Sequence, residues 1–337
     1  MLRVAIIGAG DIAQTAHLPA WSACEGATVT AVVDRDKEVA THVAAEWGIE
    51  VVETQLSAVL ERSDIDAVDI CVPANLHREL VVDALGSGKH VLVEKPVAIE
   101  LDDALRMSAA YRKTDKVLMV AENWAFAPNF REAADSLRSG RIGTPYMFVG
   151  THMSAGRLSR AKGSGKGDRD RLGYFFAAGS HTMNLARMLM GEVASVFAFA
   201  TNADVGECGL PVEDDMVLSM KFESGGIGSC HFTGRSRHSG GRRLPIQIIG
   251  EHGSISFDIW NGWIETDVDG QRTRCETQSP SRGYREEVRH FVDCIKTGSH
   301  PVTSIAEQIC TLQLVRAAYE TLVTKRPASP VSGVTGK

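Results

Sequence analysis

The chain lacks the marks of several protein classes. Its seven cysteines, at positions 24, 71, 208, 230, 275, 294 and 310, form no CxxC pair and show no Cys/His zinc spacing. Neither a disulfide scaffold nor a metal centre is therefore expected. An odd count scattered through apolar segments fits reduced thiols in a reducing compartment. Aromatic residues make up only 6% of the chain, and the formal net charge of −6 lacks the basic excess of a general nucleic-acid binder. No apolar run approaches the roughly 20 residues needed to cross a bilayer. Val4–Ile7, coming straight after Met1-Leu2-Arg3, is too short for the core of a signal peptide and reads as a first strand. A cytoplasmic protein is expected, with neither membrane nor nucleic acid as a partner.

What is present is globular in character: 337 residues, 44% of them hydrophobic and 23% charged. At roughly 100–200 residues per domain this length predicts two domains, each with its own core. Over the first 120 residues, short apolar runs at Val4–Ile7, Thr28–Val33, Ala67–Val72, His90–Val93 and Val117–Val120 read as buried parallel strands. Helix-like stretches at Ile12–Cys24, Lys37–Trp47, Leu76–Gly88 and Leu101–Lys113 separate them. That alternation predicts a doubly wound α/β domain over residues 1–122.

Beyond it the pattern changes. A helix near Pro128–Gly140 leads to strands at Tyr146–His152, Ser195–Ala200, Met216–Phe222, Gly228–Thr233, Leu244–Ile249 and Ser254–Asp258. Hairpin punctuation falls at Ser224-Gly225-Gly226 and Glu251-His252-Gly253. Helices at Tyr284–Lys296 and Ile305–Thr324 follow. The expectation for residues 123–330 is an α+β domain with an open, largely antiparallel sheet, with 331–337 as a frayed tail. An apolar outer face on such a sheet would suit a homodimer or homotetramer. Two basic stretches stand out, Arg157–Gly173 and the cluster Arg235, Arg237, His238, Arg242 and Arg243. The first is either a solvated linker or a substrate lid, and together they hint at an anionic substrate.

Gly8-Ala9-Gly10-Asp11-Ile12-Ala13 directly follows the first strand. In this GxGxxA pattern Gly8 permits the tight turn and Gly10 lets the backbone approach a pyrophosphate. The helix that opens at Asp11 and Ile12 offers its N–H groups and dipole to the phosphates. Asp34 ends the second strand 24 residues after Gly10 and can accept the ribose hydroxyls. An acid there repels a 2′-phosphate, so NAD is favoured. Arg35 beside it keeps NADP possible.

Cys71-Val72-Pro73-Ala74-Asn75-Leu76-His77 and Glu94-Lys95-Pro96 follow later strands of the same domain. With the glycine pattern, with Leu137-Arg138-Ser139-Gly140-Arg141-Ile142-Gly143 and with the late Glu287–Ile295 helix, the chain resembles the Gfo/Idh/MocA oxidoreductases. That family is named for glucose–fructose oxidoreductase and inositol dehydrogenase. The resemblance implies a Rossmann domain that holds the dinucleotide with Gly8, Gly10, Asp11, Ile12, Asp34, Arg35, Pro73, Asn75, His77, Glu94 and Lys95. It implies a cis bond before Pro96, and a Lys95 that reaches both the nicotinamide ribose and the substrate hydroxyl.

Gly179-Ser180-His181-Thr182-Met183-Asn184 resembles the family segment D-x-G-x-H-x-x-D, which makes His181 the acid/base partner of Lys95. The two acids of that segment are here Ala177 and Asn184. Asn184 can still hydrogen-bond a substrate hydroxyl, as can Asn123 and Arg157, and Glu122 and Asn123 are candidates for the missing acid's role. The implied activity is NAD(P)-dependent hydride transfer between nicotinamide and a secondary hydroxyl or ketone of a sugar, cyclitol or sugar derivative. Two alternatives share the fold: an NAD-retaining glycoside-cleaving enzyme or lyase, whose HGGNP-type signature is lacking here, and a non-catalytic sugar or dinucleotide sensor.

Overall fold

The computed structural model describes residues 1–154, 172–201, 204–205, 211–236, 242–277 and 281–330. Residues 157–171 of the expected basic loop, Arg237 and His238 of the second basic cluster, and the tail 331–337 lie outside the described residues. The chain forms two compact units, Met1–Phe126 with Gly283–Ile309, and Ala127–Arg282 with Cys310–Lys337.

The first unit holds a sheet of six parallel strands: β1 (Leu2–Ile7), β2 (Ala27–Val33), β3 (Val51–Glu53), β4 (Ala67–Ile70), β5 (His90–Glu94) and β6 (Leu118–Ala121). Their spatial order is β3-β2-β1-β4-β5-β6. Val4–Ile7, Ala67–Ile70, Val91–Glu94 and Leu118–Ala121 are buried throughout, as strands covered on both faces must be. Between the strands run α1 (Leu18–Ser22), α2 (Lys37–Trp47), α3 (Leu56–Leu60), α4 (His77–Gly86) and α5 (Leu101–Tyr111). Asp36 caps α2 by accepting from the Glu38 and Val39 amides, and Gly48 closes it at φ 67°. The strand order reverses between β1 and β4, which opens a crevice at the carboxyl ends of those strands.

The second unit contains α6 (Pro128–Arg138), β7 (Pro145–Met153), α7 (Ser180–Met190), β8 (Val193–Thr201) and the short pair β9 (Asp204–Val205) and β10 (Pro211–Val212). It continues with β11 (Asp215–Phe222), β12 (Ile227–Thr233), β13 (Pro245–Gly250), β14 (Gly253–Asp258), β15 (Trp263–Val268) and β16 (Gln271–Glu276). Eight of these strands make one sheet in the order β16-β15-β14-β13-β7-β12-β11-β8, antiparallel except where β7 meets β12. Met216, Leu218, Met220, Phe222, Cys230 and Phe232 alternate onto its buried face. There α7 packs so closely that a Cβ on Gly150 would lie 2.9 Å from both Cys230 Sγ and Thr182 Cγ2.

The last two helices are α8 (Tyr284–Thr297) and α9 (Ile305–Thr324). The expected division at residue 122 places both in the second domain. In the structure α8 belongs to the first unit, whose N-terminal stretch runs on to Phe126. Its buried stripe Glu287, Val288, Phe291, Val292 and Cys294 meets that unit, with Phe291 edge-on to Trp21 at 6.2 Å and His290 against Phe126 at 5.1 Å. Periodicity marks a helix face as buried without saying which sheet it covers. None of the described helices is long and apolar enough to cross a membrane.

Candidate active site

Each part of the crevice in the first unit has a local cause. Gly8 adopts φ 94°, and a Cβ there would lie 2.7 Å from Val72 Cγ1 and 2.9 Å from the Cys71 carbonyl oxygen. Only glycine fits between β1 and the loop after β4. Around Gly10 nothing stands within 4 Å of a built Cβ, so the backbone faces open space on the side where a pyrophosphate would lie. The chain is helical from Asp11, passing through a π-turn at Ala13–His17 into α1.

Asp34 ties this loop together. Its Oδ2 accepts from the Ala9 amide at 2.8 Å and its Oδ1 from the Asp36 amide at 2.9 Å. Arg35 beside it is exposed, as are Pro73 and Asn75 on the turn after β4. His77 differs from expectation. It is fully buried, with ring nitrogens 3.1 Å from the Val97 carbonyl and 2.9 Å from the Val72 carbonyl. It laces the loop after β4 to the loop after β5.

Glu94, Lys95 and Pro96 follow on at the end of β5, where the Lys95–Pro96 bond is cis. Beneath them lies a polar cluster that the sequence reading missed. The π-turn sends His17 into the interior, with Nδ1 2.8 Å from Asp69 Oδ2 and Nε2 2.9 Å from Glu94 Oε1. Both ring nitrogens face carboxylates, so the ring is an imidazolium. Burial opposes that charge, but Asp69 overcomes it and holds the pKa well above its usual value. The indole N–H of Trp21 donates to Asp69 Oδ2 at 2.6 Å, and the Lys95 amide donates to Glu94 Oε2 at 2.8 Å.

Cys71 Sγ lies 3.6 Å from Asp69 Oδ1. His17, Asp69 and Cys71 are spaced as metal ligands could be, yet burial pushes the thiol up to about 12, which leaves it a protonated donor to its neighbour. Two further acids complete the cluster. Glu122, just past β6, is 1% exposed, and burial pushes it up to about 8 against the opposing pull of Lys95. Glu287 on α8 is fully buried with no hydrogen-bond partner for either oxygen, and burial raises it well above the ordinary carboxyl range. The visible signal for His17 is a histidine on the apolar face that Ala13, Ala16, Ala20 and Trp21 form, four residues before Trp21.

The second unit presents His181 at the start of α7, 7% exposed. It is preceded by a π-turn at Phe175–Gly179 that contains Ala177. A Cβ on Gly179 would lie 2.5 Å from Phe175 Cδ2, so the turn closes only on glycine. Glu213, also missed from sequence, anchors this turn from within the core. Its Oε1 accepts from the Phe175 amide at 2.6 Å and its Oε2 from the Tyr319 hydroxyl at 2.9 Å.

Asn184, expected to face substrate, is 1% exposed and turned inward. Its Oδ1 accepts from Thr311 at 3.1 Å, while its Nδ2 lies 3.4 Å from Met188 Sδ. Asn184 thus ties α7 to α9. Asn123, in the first unit, is buried just beyond β6. Of the second basic cluster, Arg235 is paired with Asp215 and Arg242 stacks 4.2 Å over the Trp260 ring, so both have local partners.

Comparison with known proteins agrees with this geometry. Residues 2–122 match the model of the oxidoreductase family GFO_IDH_MocA, described as an NAD-binding Rossmann fold, and residues 130–256 match the GFO/IDH/MocA C-terminal domain. The chain is 29% identical over 330 residues to the D-apiose dehydrogenase of Paraburkholderia graminis, covering 94% of this chain and 86% of that protein. It is 28% identical over 337 residues to the myo-inositol 2-dehydrogenase of Thermotoga maritima, covering 96% and 97%. Among solved structures, a levoglucosan dehydrogenase in complex with NADH has the same fold, with a TM-score of 0.88 at 22% identity over 98% of this chain and 99% of that one.

Proposed function

The chain belongs to the Gfo/Idh/MocA oxidoreductase family, and from that premise we propose that it is an NAD-dependent dehydrogenase acting on a secondary hydroxyl, or the matching ketone, of a sugar or cyclitol. The observation that carries this reading is the crevice of the first unit. A glycine loop with open space over Gly10, an acid at the end of β2 and Lys95 at the end of β5 all lie on the carboxyl rim of one parallel sheet. Sugars and cyclitols are the substrates named for the relatives above.

NAD, when bound, supplies the hydride acceptor, and the protein does the rest. The Gly8–Gly10 loop and the helix from Asp11 receive the pyrophosphate, and Asp34 accepts the adenosine ribose hydroxyls. Lys95 places an ammonium on the reacting oxygen and favours alkoxide character as hydride leaves carbon. In the second unit, His181 is the acid/base candidate that the family resemblance supplies.

Asp34→Ala is expected to weaken NAD binding by about tenfold, the size of a lost hydrogen bond to a charged group, and NADP binding by less. Calorimetry with both dinucleotides checks this, and equal weakening would remove the ribose role. The activity itself is tested with purified protein, NAD or NADP, and a panel of neutral sugars, inositols, glycosides and uronates, read by ultraviolet absorbance of the reduced nicotinamide. Reduction with one polyol class supports the reading. NAD held tightly without reduction by any member of the panel overturns it in favour of a lyase or a sensor.

The outer face of the second unit's sheet supports self-association. Phe199, Val217 and Ile227 are 69%, 49% and 51% exposed. Val217 is the register partner of Phe199 on the neighbouring strand, so the apolar residues adjoin. A second copy covering this face would bury them, giving the homodimer or homotetramer expected from sequence. Val217→Glu combined with Phe199→Glu is expected to convert the assembly to monomers by light scattering. An unchanged mass would place the interface elsewhere.

A further inference from the structure

Hydride removal from a hydroxyl-bearing carbon leaves one proton to be placed. The family acid that would help His181 to keep it is Ala177 in this chain, on the π-turn before α7. An ammonium has three donors and no acceptor, so Lys95 can relay a proton only if a neighbour takes one from it.

We propose that Glu122 is that neighbour, a buried proton acceptor working through Lys95; the proposal rests on the dehydrogenase reading above. The sheet register carries it. Glu94 on β5 and Ala121 on β6 are the last pair of their ladder, so Lys95 and Glu122 each follow directly after it at the carboxyl rim, close enough for the Lys95 charge to act on Glu122. Glu122 is 1% exposed, its carboxylate accepts from the Trp124 amide, and Lys95 is the positive charge that favours its ionised form.

The groups facing this cluster are Glu94 from β5, which raises Glu122, and Glu287 and Tyr284 from α8, which share its field. His17 is tied to Asp69 and Glu94, so its charge is already spoken for. Glu287 lies in the same cluster, but α8 rather than the strand rim carries it, and the charges that act on it most are those of His17, Glu94 and Glu122. Glu122 is thus the acid that both adjoins Lys95 and changes protonation near neutrality.

The balance is simple. The substrate O–H bond breaks, its proton joins Lys95, and a proton from Lys95 forms the O–H bond of neutral Glu122. Hydride, with its electron pair, goes to the nicotinamide, and the carbon becomes a carbonyl. The stored proton returns to solvent as the site empties.

A cationic nicotinamide on the Lys95 rim should favour ionised Glu122, whereas the neutral reduced ring should not. In weakly buffered solution at pH 8 with an indicator dye, NAD is therefore expected to release up to about half a proton per chain, and NADH almost none. Glu122→Gln should abolish the release, and Glu122→Asp should restore part of it. With an active substrate, turnover of the native protein should rise with pH through about 8. Glu122→Gln should lose that rise together with about a hundredfold in kcat, while KM and the NAD Kd stay within about threefold.

Equal proton release from native protein and Glu122→Gln, with NAD bound to both, overturns the proposal while leaving the dehydrogenase reading intact. Failure of the native protein to bind NAD at all overturns both. A Glu122→Gln protein that keeps the native pH profile would make Glu122 structural only.

Discussion

Lys95→Ala is expected to lower turnover by about three orders of magnitude while leaving NAD binding within about tenfold. The two numbers separate because the residues behind them are separate. In the proposed mode the dinucleotide would be held along the glycine loop by backbone N–H groups, over the open approach at Gly10, and by Asp34, which is fixed on the Ala9 and Asp36 amides. None of those contacts passes through the Lys95 side chain. The ammonium matters when charge develops on the reacting oxygen, where loss of one stabilising donor costs about a hundredfold to a thousandfold. Loss of its proton relay adds to that. Lys95 is half-buried at the sheet rim, so the melting temperature should hardly move. Steady-state rates with calorimetry on the same preparation check the split. Turnover within tenfold of the native protein would remove Lys95 from the chemistry, and a parallel collapse of NAD binding would make it a cofactor ligand first.

Much of this was legible in the sequence because the relevant signals are local. A parallel strand buried on both faces has to be apolar almost throughout, so the runs Val4–Ile7, Ala67–Val72 and His90–Val93 announced themselves. The tight turn at Gly8 admits no side chain and therefore shows as a glycine. Between β11 and β12 the turn shows as Gly225 because its φ is 92°, and between β13 and β14 as Gly253, where a Cβ would lie 1.9 Å from the Asp267 carbonyl oxygen.

The signals that failed were weak or not local at all. β16 is Gln-Arg-Thr-Arg-Cys-Glu, exposed along its whole length, and belongs to the sheet only through its ladder with β15. β3 is three half-buried residues on a sheet edge. Nothing in the α8 stripe says that it returns to the first unit, because its periodicity is the same whichever core it covers. His77 and Asn184 carry side chains suited to ligands, and only the fold shows the backbone carbonyls and the Thr311 hydroxyl that they bond. The reverse holds for His17 and Glu287, while Glu122, a candidate acid from sequence, is joined to them only by the fold. They are far apart along the chain, and it is β4, β5, β6 and α8 that gather them under Lys95.

That gathering makes His17 the most consequential structural residue of the first unit. His17→Ala is expected to destabilise the protein by about 3–5 kcal/mol, the cost of leaving a buried charge without its partner. Asp69 Oδ2 and Glu94 Oε1 would both face the space vacated by the ring. The pH dependence distinguishes this cause from simple loss of packing. In the native protein His17 is raised above 6.5. Its contribution is therefore complete below 6.5, where folded and unfolded chains both carry the proton, and it declines as pH rises toward the folded value. Glu122, raised from 4.5 to about 8, acts in the same sense across that window. Native stability should thus be highest in mildly acidic solution and fall toward pH 9.

In His17→Ala one of the freed carboxyls must take up a proton to stay buried, and the unfolded chain does not hold that proton until well below pH 6.5. As pH falls below 6.5 the variant should therefore regain about 1.4 kcal/mol per unit relative to the native protein. Denaturant titrations between pH 5 and pH 8 measure the difference directly. A deficit that is the same at both ends would mean that Asp69 and Glu94 find new donors in the variant, and that the imidazolium is not what keeps the floor of the Lys95 site in place.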